Sequence, residues 1–551
     1  MSFYGVKLPL PRKVSTDVFP CHDGTLSDKT HLFALFGKLL KFDMFRTSRG
    51  TTDEECCGNC LGIDTNAATD ERVTNGCAKC MPYKKPILEY DLKCTANNQG
   101  KNDVTAPLDL SLLYSSTDFS GTLTNGKFDL TTGFLSKTGV KFSGVSDAIN
   151  ENPLVMALYH VFLREHNKLV DKMTEFGNAN PLEATKKLLT GIFQHITYNE
   201  YLPLLIGEQL PTSTYEAEIL PIISNSFSLA YELVLASMLR ETVKISPTEN
   251  KDLTDLMNNA AVVDDETKLK NIIEGMLNEA SLKIGRKIPC NFRDNCKYSD
   301  IVSVLTQDTR YLAIPPYVIW LAIWNENQIQ TFGDLPFHTA VDKTALEKTY
   351  NTVYDMDFLS GMFTEIIDND KPAGKTLLKL MKDQFVSIQN SDRFYYEHTG
   401  VFLADQLAEI KKTSMALLLC RNIDNLDKVK EKAFELASGD VDCSTIPEID
   451  FCKYHGVAST WTAFRIAPGT CRFFQIQARK CQSSRVDACP CIGSPFKIES
   501  CPNQITTPEM QLIYRFLEMR MGNDAQSLAY KDNYEKLMER AQFLFEEMTN
   551  K

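Results

Sequence analysis

No run of apolar residues in this 551-residue chain reaches the roughly 18 to 20 that a bilayer span needs, so the sequence holds no transmembrane helix. Positive charge is also in short supply: 59 Lys and Arg stand against 71 Asp and Glu, a formal net charge of −12. Nucleic acids and anionic membranes are bound through a positive field, and this balance excludes both as general partners while leaving room for local basic patches. No Asn-x-Ser/Thr triplet occurs, so nothing marks a glycosylated surface. The opening residues, Met1-Ser2-Phe3-Tyr4-Gly5-Val6-Lys7, lack the apolar core of a signal peptide.

Apolar residues make up 43% of the chain and charged ones 24%, a globular composition long enough for a large core and more than one domain. Cysteine is abundant, with 17 residues in clusters. Cys21, Cys56, Cys57, Cys60, Cys77, Cys80 and Cys94 lie at the front, Cys290, Cys296 and Cys420 in the middle, and seven more from Cys443 to Cys501. Such clusters in loop-rich surroundings imply disulfide frameworks and an oxidising compartment. Cys57-x2-Cys60 and Cys77-x2-Cys80 have the spacing of a four-cysteine zinc site, the competing reading. The disulfide reading leads to the expectation of a secreted protein, given in mature form behind an initiator Met, with one odd cysteine free or bridged between molecules.

The strongest local pattern starts at Glu151-Asn152-Pro153-Leu154 and runs into Tyr159-His160-Val161-Phe162-Leu163-Arg164-Glu165-His166-Asn167-Lys168. Proline at the start and apolar residues at Leu154, Val155, Leu158, Phe162, Leu163 and Val170 predict a buried helix ending in a charged cluster. Residues 31–45 predict a second helix with almost no polar face, hence core. After Asp442 the texture changes to short polar segments with cysteines. From 505 onward, Tyr534, Leu537, Met538, Ala541, Leu544, Phe545 and Met548 share one face of a predicted helix, a packing stripe or a docking surface.

The Phe162-Leu163-Arg164-Glu165-His166-Asn167 run resembles a characteristic helix of the animal haem peroxidases. Gln194-His195-Ile196-Thr197-Tyr198-Asn199-Glu200-Tyr201-Leu202-Pro203-Leu204-Leu205-Ile206-Gly207 is similar to that family's next helix and turn, and the likeness covers roughly residues 15–430. It implies a mainly α fold: a haem-peroxidase-like helical domain over 1–440, then a small disulfide-rich β module over 441–503, then a helical tail over 504–551. Trp461, Phe464, Cys471, Arg479, Cys481, Cys491 and Cys501 give the middle segment a resemblance to a thrombospondin type-1 repeat.

The resemblance also shows what the chain has exchanged. The family's distal Gly-Gln-x-x-Asp-His-Asp reads here as Gly37, Lys38, Lys41, Phe42 and Asp43, so the distal acid-base His is Phe42. The catalytic Arg position is Ala148, while the Glu that can be esterified to haem is retained as Glu151. In the proximal run the Arg is Leu233, the Gly is Leu235 and the axial His is Ala236; the Asn that orients that His is Val318. The eight histidines, His22, His31, His160, His166, His195, His338, His398 and His455, fall at neither the distal nor the proximal position. Haem is therefore not expected, and Phe42, Leu233, Leu235 and Ala236 are expected to refill its space. The family's calcium loop keeps an oxygen ligand at every position, as Asp43, Thr105, the carbonyl of Pro107, Asp109 and Ser111, and implies a Ca²⁺ site.

These readings imply a secreted, calcium-stabilised pseudoenzyme. It would act as an adhesion, matrix or assembly component on protein or glycan partners, and could oligomerise through the C-terminal helix or a free cysteine. Two alternatives stand beside it: a haem oxidoreductase with displaced ligation through Tyr159 or His160, and a storage, toxin or defence protein on an inert fold.

Overall fold

Asn152 accepts a hydrogen bond from the Leu154 N–H at 3.0 Å, and Pro153 occupies the first turn, so the helix Pro153–Glu175 starts where cap and proline dictate. This and the other elements come from a computed structural model. It describes residues 7–455 apart from 57–60, 66–69, 90–98, 116–117 and 325–328, and beyond 455 the pieces 460–461, 465–466, 474–478, 481–482, 489 and 496–500. The fold is mainly α. Its principal helices are α1 (Pro11–Val18), α2 (His31–Met44), α3 (Pro153–Glu175), α4 (Pro181–Ile196), α5 (Asn225–Met238), α6 (Ile301–Tyr311), α7 (Tyr317–Ile323), α8 (Lys375–Ser391) and α9 (Met415–Asn422). Among the described residues no helix is long and apolar enough to cross a membrane.

Helix α2 is the centre of the core, as its lack of a polar face requires: eleven of its residues are buried. Phe33 stacks on Tyr201 with centroids 4.6 Å apart, and Phe36 packs against Phe193, Tyr201 and Phe434. Tyr201 reaches this cluster from a π-helical turn, Thr197–Tyr201, that continues α4. Ahead of α2, strand β1 (Leu26–Thr30) pairs antiparallel with β2 (Ala280–Leu282).

Five disulfides join described residues: Cys21–Cys290, Cys56–Cys80, Cys77–Cys296, Cys420–Cys443 and Cys452–Cys489. Cys77 and Cys80 thus have separate covalent partners, which removes the zinc reading for that pair; Cys57, Cys60 and Cys94 lie outside the described residues. The chain divides into units Met1–Glu448 and Ile449–Lys551. That boundary falls beyond the compositional break near 440, because the Cys420–Cys443 bridge and the pairing of Lys428–Lys430 with Asp440–Asp442 fasten the segment to the first unit. In the second unit β3 (Arg465–Ile466), β4 (Phe474–Ala478) and β5 (Phe496–Ser500) form an antiparallel sheet with β4 central, and Thr460–Trp461 pairs with Cys481–Gln482. The tail 504–551 and Phe464, Cys471, Arg479, Cys491 and Cys501 lie outside the described residues.

Candidate functional site: two facing helices and a carboxylate loop

Helix α5 begins at Ser224, whose hydroxyl accepts from the Phe227 N–H at 3.2 Å, and runs against α2. Gly37 makes the approach possible. A Cβ built there would lie 2.3 Å from the Tyr201 hydroxyl and 2.6 Å from Leu235 Cδ2, distances no side chain tolerates. The Tyr231 hydroxyl donates to the Gly37 carbonyl at 3.3 Å and lies 2.9 Å from the Tyr201 hydroxyl. Leu233, Leu235, Ala236 and Val318 are buried, whereas Phe42 and Ala148 are half-buried. None of these six side chains carries a nitrogen, oxygen or sulfur atom that could ligate iron or move a proton.

The face between α2 and α5 is only partly apolar around the half-buried Phe42. Lys41, one residue before it, reaches across to Glu232 on α5 with Nζ 2.6 Å from Oε1, and both side chains keep some solvent access. The same ammonium sits 5.6 Å from the Phe42 ring centroid. Burial raises the Glu232 carboxyl, but Lys41, with Arg49 and Lys38 behind it, outweighs that and holds the group below the usual range. Lys38 is pushed down by burial against the opposing pull of Glu151 and Glu232. Glu232 also borders a cavity of about 480 Å³ with Arg49 and Tyr83, both of which hydrogen-bond Asp308. The sequence reading passed over Glu232. Its signal was available: it is the one charged residue in the otherwise apolar and hydroxyl-bearing run Phe227–Met238.

At the end of α2 the structure gathers the predicted oxygen ligands. The Asp43 carboxylate, fully buried, accepts from the Leu110 N–H at 3.1 Å, the Leu112 N–H at 3.2 Å and the Ser111 hydroxyl at 3.2 Å. Asp109 accepts from the Thr105 hydroxyl at 2.8 Å and the Ser111 N–H at 2.9 Å. Pro107 offers its carbonyl, which takes the Asp109 N–H at 3.0 Å. Burial, and then the neighbouring Asp109 charge, push the Asp43 carboxyl well above its ordinary value; burial likewise raises Asp109. Neither carboxylate has a Lys or Arg partner among the described residues. Two close, unneutralised carboxylates ringed by hydroxyl and carbonyl oxygens form a donor set suited to a hard cation.

The charged end of α3 has a different task. Arg164 Nε donates to the Gly133 carbonyl at 2.9 Å and Nη1 to the Asn422 carbonyl at 2.8 Å. Nη2 meets Glu266 at 2.8 Å, and the guanidinium lies 4.6 Å over the Phe134 ring. Glu165 accepts from Asn422 at 2.7 Å. His166 bridges the Tyr114 hydroxyl at 2.9 Å and the Gly126 carbonyl at 2.8 Å. Asn167 exchanges two bonds with the Phe128 backbone, at 2.8 and 2.9 Å. Tyr159 donates to the Leu112 carbonyl at 3.0 Å, and His160 contacts the Met156 carbonyl at 2.8 Å. The two side chains weighed as displaced haem ligands are therefore engaged with backbone.

The animal haem peroxidase family model matches residues 2–434. Among curated relatives, a Caenorhabditis elegans peroxidase is 27% identical over 321 residues, 55% of this chain and 44% of that protein. A Mus musculus peroxidasin homolog is 24% identical over 524 residues, 81% of this chain and 35% of that protein. Homo sapiens lactoperoxidase is 25% identical over 533 residues, 82% and 74% respectively. The chain thus spans less than half the length of the first two. Among solved structures, peroxidase A from Dictyostelium discoideum superposes with a TM-score of 0.66 at 18% identity, over 78% of this chain and 92% of that one. An Oryza sativa fatty acid α-dioxygenase superposes with 0.64 at 15%, over 79% and 82%. These structural likenesses carry the fold alone.

Proposed function

The chain belongs to the animal haem peroxidase family, and from that premise we propose that it is a catalytically inactive, calcium-stabilised, extracellular member acting through its surfaces in an adhesive or matrix assembly. The observation that carries this reading is the direct packing of α2 on α5, with Leu235 and Tyr201 closing on Gly37. Peroxidase chemistry needs an axial ligand, a distal base and a cation facing the peroxide; the corresponding positions hold Ala236, Phe42 and Ala148. Haem does not fit this residue set.

Calcium does fit. Asp43, Thr105, the Pro107 carbonyl, Asp109 and Ser111 would hold it, and its charge would neutralise the two carboxylates and lock α2 to the 105–111 loop. The disulfides fit an oxidising, extracellular setting. The cysteine-rich segment is read as a thrombospondin type-1-like module offering a surface to protein or glycan partners, with oligomerisation through the tail or a free cysteine.

An absorbance spectrum with metal analysis of the purified chain tests the reading. No Soret band near ~400 nm, where haem proteins absorb, and stoichiometric calcium are expected. A strong band with one iron per chain would overturn the inactive assignment. For the loop, chelator should lower the melting temperature of the native chain and leave an Asp43→Asn variant unmoved; equal responses would remove the calcium site.

A further inference from the structure

A groove of about 940 Å³ opens between α4 and two loops, 213–215 and 393–402, away from the facing helices. Its walls are aromatic and aliphatic: Phe394 is 68% exposed and Tyr215 45%, with Val401 and Phe402 half-buried beside them. Soluble surfaces seldom leave rings this bare without a use. The groove is also preformed. His398 accepts from the Ser213 hydroxyl at 2.7 Å and donates to the Asp392 carbonyl at 3.0 Å, and the Glu216 N–H donates to the Asn390 carbonyl at 2.8 Å, so the two loops are pinned to each other.

The charges in the groove are unequal in their engagement. Glu183 is paired with Lys186 at 2.9 Å and Glu397 with Lys411 at 2.6 Å. Asp109, at the far end, is turned onto Thr105 and Ser111. Among the described residues Lys187 and Arg393 have no carboxylate partner; each lies over a ring, Lys187 4.7 Å above Phe402 and Arg393 5.4 Å above Phe394. A chain of net charge −12 thus presents two uncommitted cations, each held in place by an aromatic face, inside an apolar trough.

We infer that this groove binds an acidic peptide segment of a partner protein, with one aromatic or aliphatic side chain seated between Phe394, Val401 and Phe402 and flanking carboxylates on Lys187 and Arg393. The volume lies at the upper end of ligand pockets and suits a short extended segment. A neutral oligosaccharide is the poorer match, because it would bring no counter-charge to Lys187 and Arg393. The inference holds whether or not the facing helices bind haem or the adjacent loop binds calcium.

Fluorescence anisotropy with a labelled EEFLEE peptide on the full chain, at fixed calcium, tests it. Binding is expected, weakened about tenfold or more with QQFLQQ or EEGSEE, the loss typical of removing a hot-spot contact. Lys187→Glu with Arg393→Glu, or Phe394→Ala, should cause a similar loss; all three side chains are exposed, and an unchanged melting temperature will show that the variants fold. Equal binding of the neutral peptide, unchanged affinity in the variants, stronger binding of a sulfated hexasaccharide than of EEFLEE, or no binding by about 1 mM peptide, a concentration at which even a weak contact of ~4 kcal/mol registers, would each overturn the proposal.

Discussion

The charged end of α3 and the face between α2 and α5 are both buried, both rich in family-like positions, and built on opposite rules. Around α3, Arg164, His166 and Asn167 spend their polar atoms on the backbone of turns and element ends at 126, 128, 133 and 422. Those carbonyls and amides would be unsatisfied without them, so the cluster is part of the fold whatever the chain does. Between α2 and α5 the contacts run from one side chain to another or onto a crevice. They can change in step: a Leu against a Gly, a Lys against a Glu. Residues tied to backbone are constrained by the fold, and residues tied to another side chain are constrained only by that partner.

The largest test of that contrast is Arg164→Ala. It removes the cation from Glu266 and the donor from two carbonyls and should cost about 3–5 kcal/mol, the range for breaking a buried pair, read by urea denaturation. An unchanged midpoint would place α3 under the same rule as α2. Gly37→Ala forces a methyl onto Tyr201 and Leu235 and should cost about 1–3 kcal/mol, as overpacking does. Combining it with Leu235→Ala should recover part of that loss, a coupling between contacting residues; additive losses would mean the two helices are not in direct contact.

The charged end of α3 and the carboxylate site at the end of α2 should respond to pH with opposite sign. His160 and His166 are held neutral by burial, each lowered to about 4. Between that value and an unfolded value of about 6.5 the unfolded chain binds more protons, so their contribution is intact above the upper limit and lost as pH falls toward the lower. Asp43, raised by burial and by Asp109, works the other way. In chelator the native state holds the extra proton, and stability declines as pH rises above the ordinary Asp value. Calcium should abolish that decline by keeping the carboxylates ionised. Melting curves across pH with and without chelator will resolve the two slopes, and a decline that persists in calcium would remove Asp43 from the cation site. The smallest effect belongs to the half-open pair: Lys41→Met with Glu232→Leu should change stability by about 1 kcal/mol or less, since replacing such a pair by apolar residues is often neutral. A large loss would show that the charges, not the packing, hold α2 to α5.

Much of this was legible from residues alone. Pro153 announced where α3 begins and the missing polar face of residues 31–45 announced a core helix, while positions 43, 105, 107, 109 and 111 were singled out by the family resemblance. These are short-range signals: caps and periodicities act within a few turns, and a ligand loop is mostly one segment. Partnerships were not legible. Lys41 and Glu232 are 191 residues apart, Cys77 and Cys296 219, and Arg164 and Asn422 258. Composition alone cannot name which distant group closes on which. The sequence determined which side chains stand at the family-like positions, among them Phe42, Ala148 and Ala236; only the tertiary structure decided what faces them, because filling a space depends on which side chains the closed chain brings face to face.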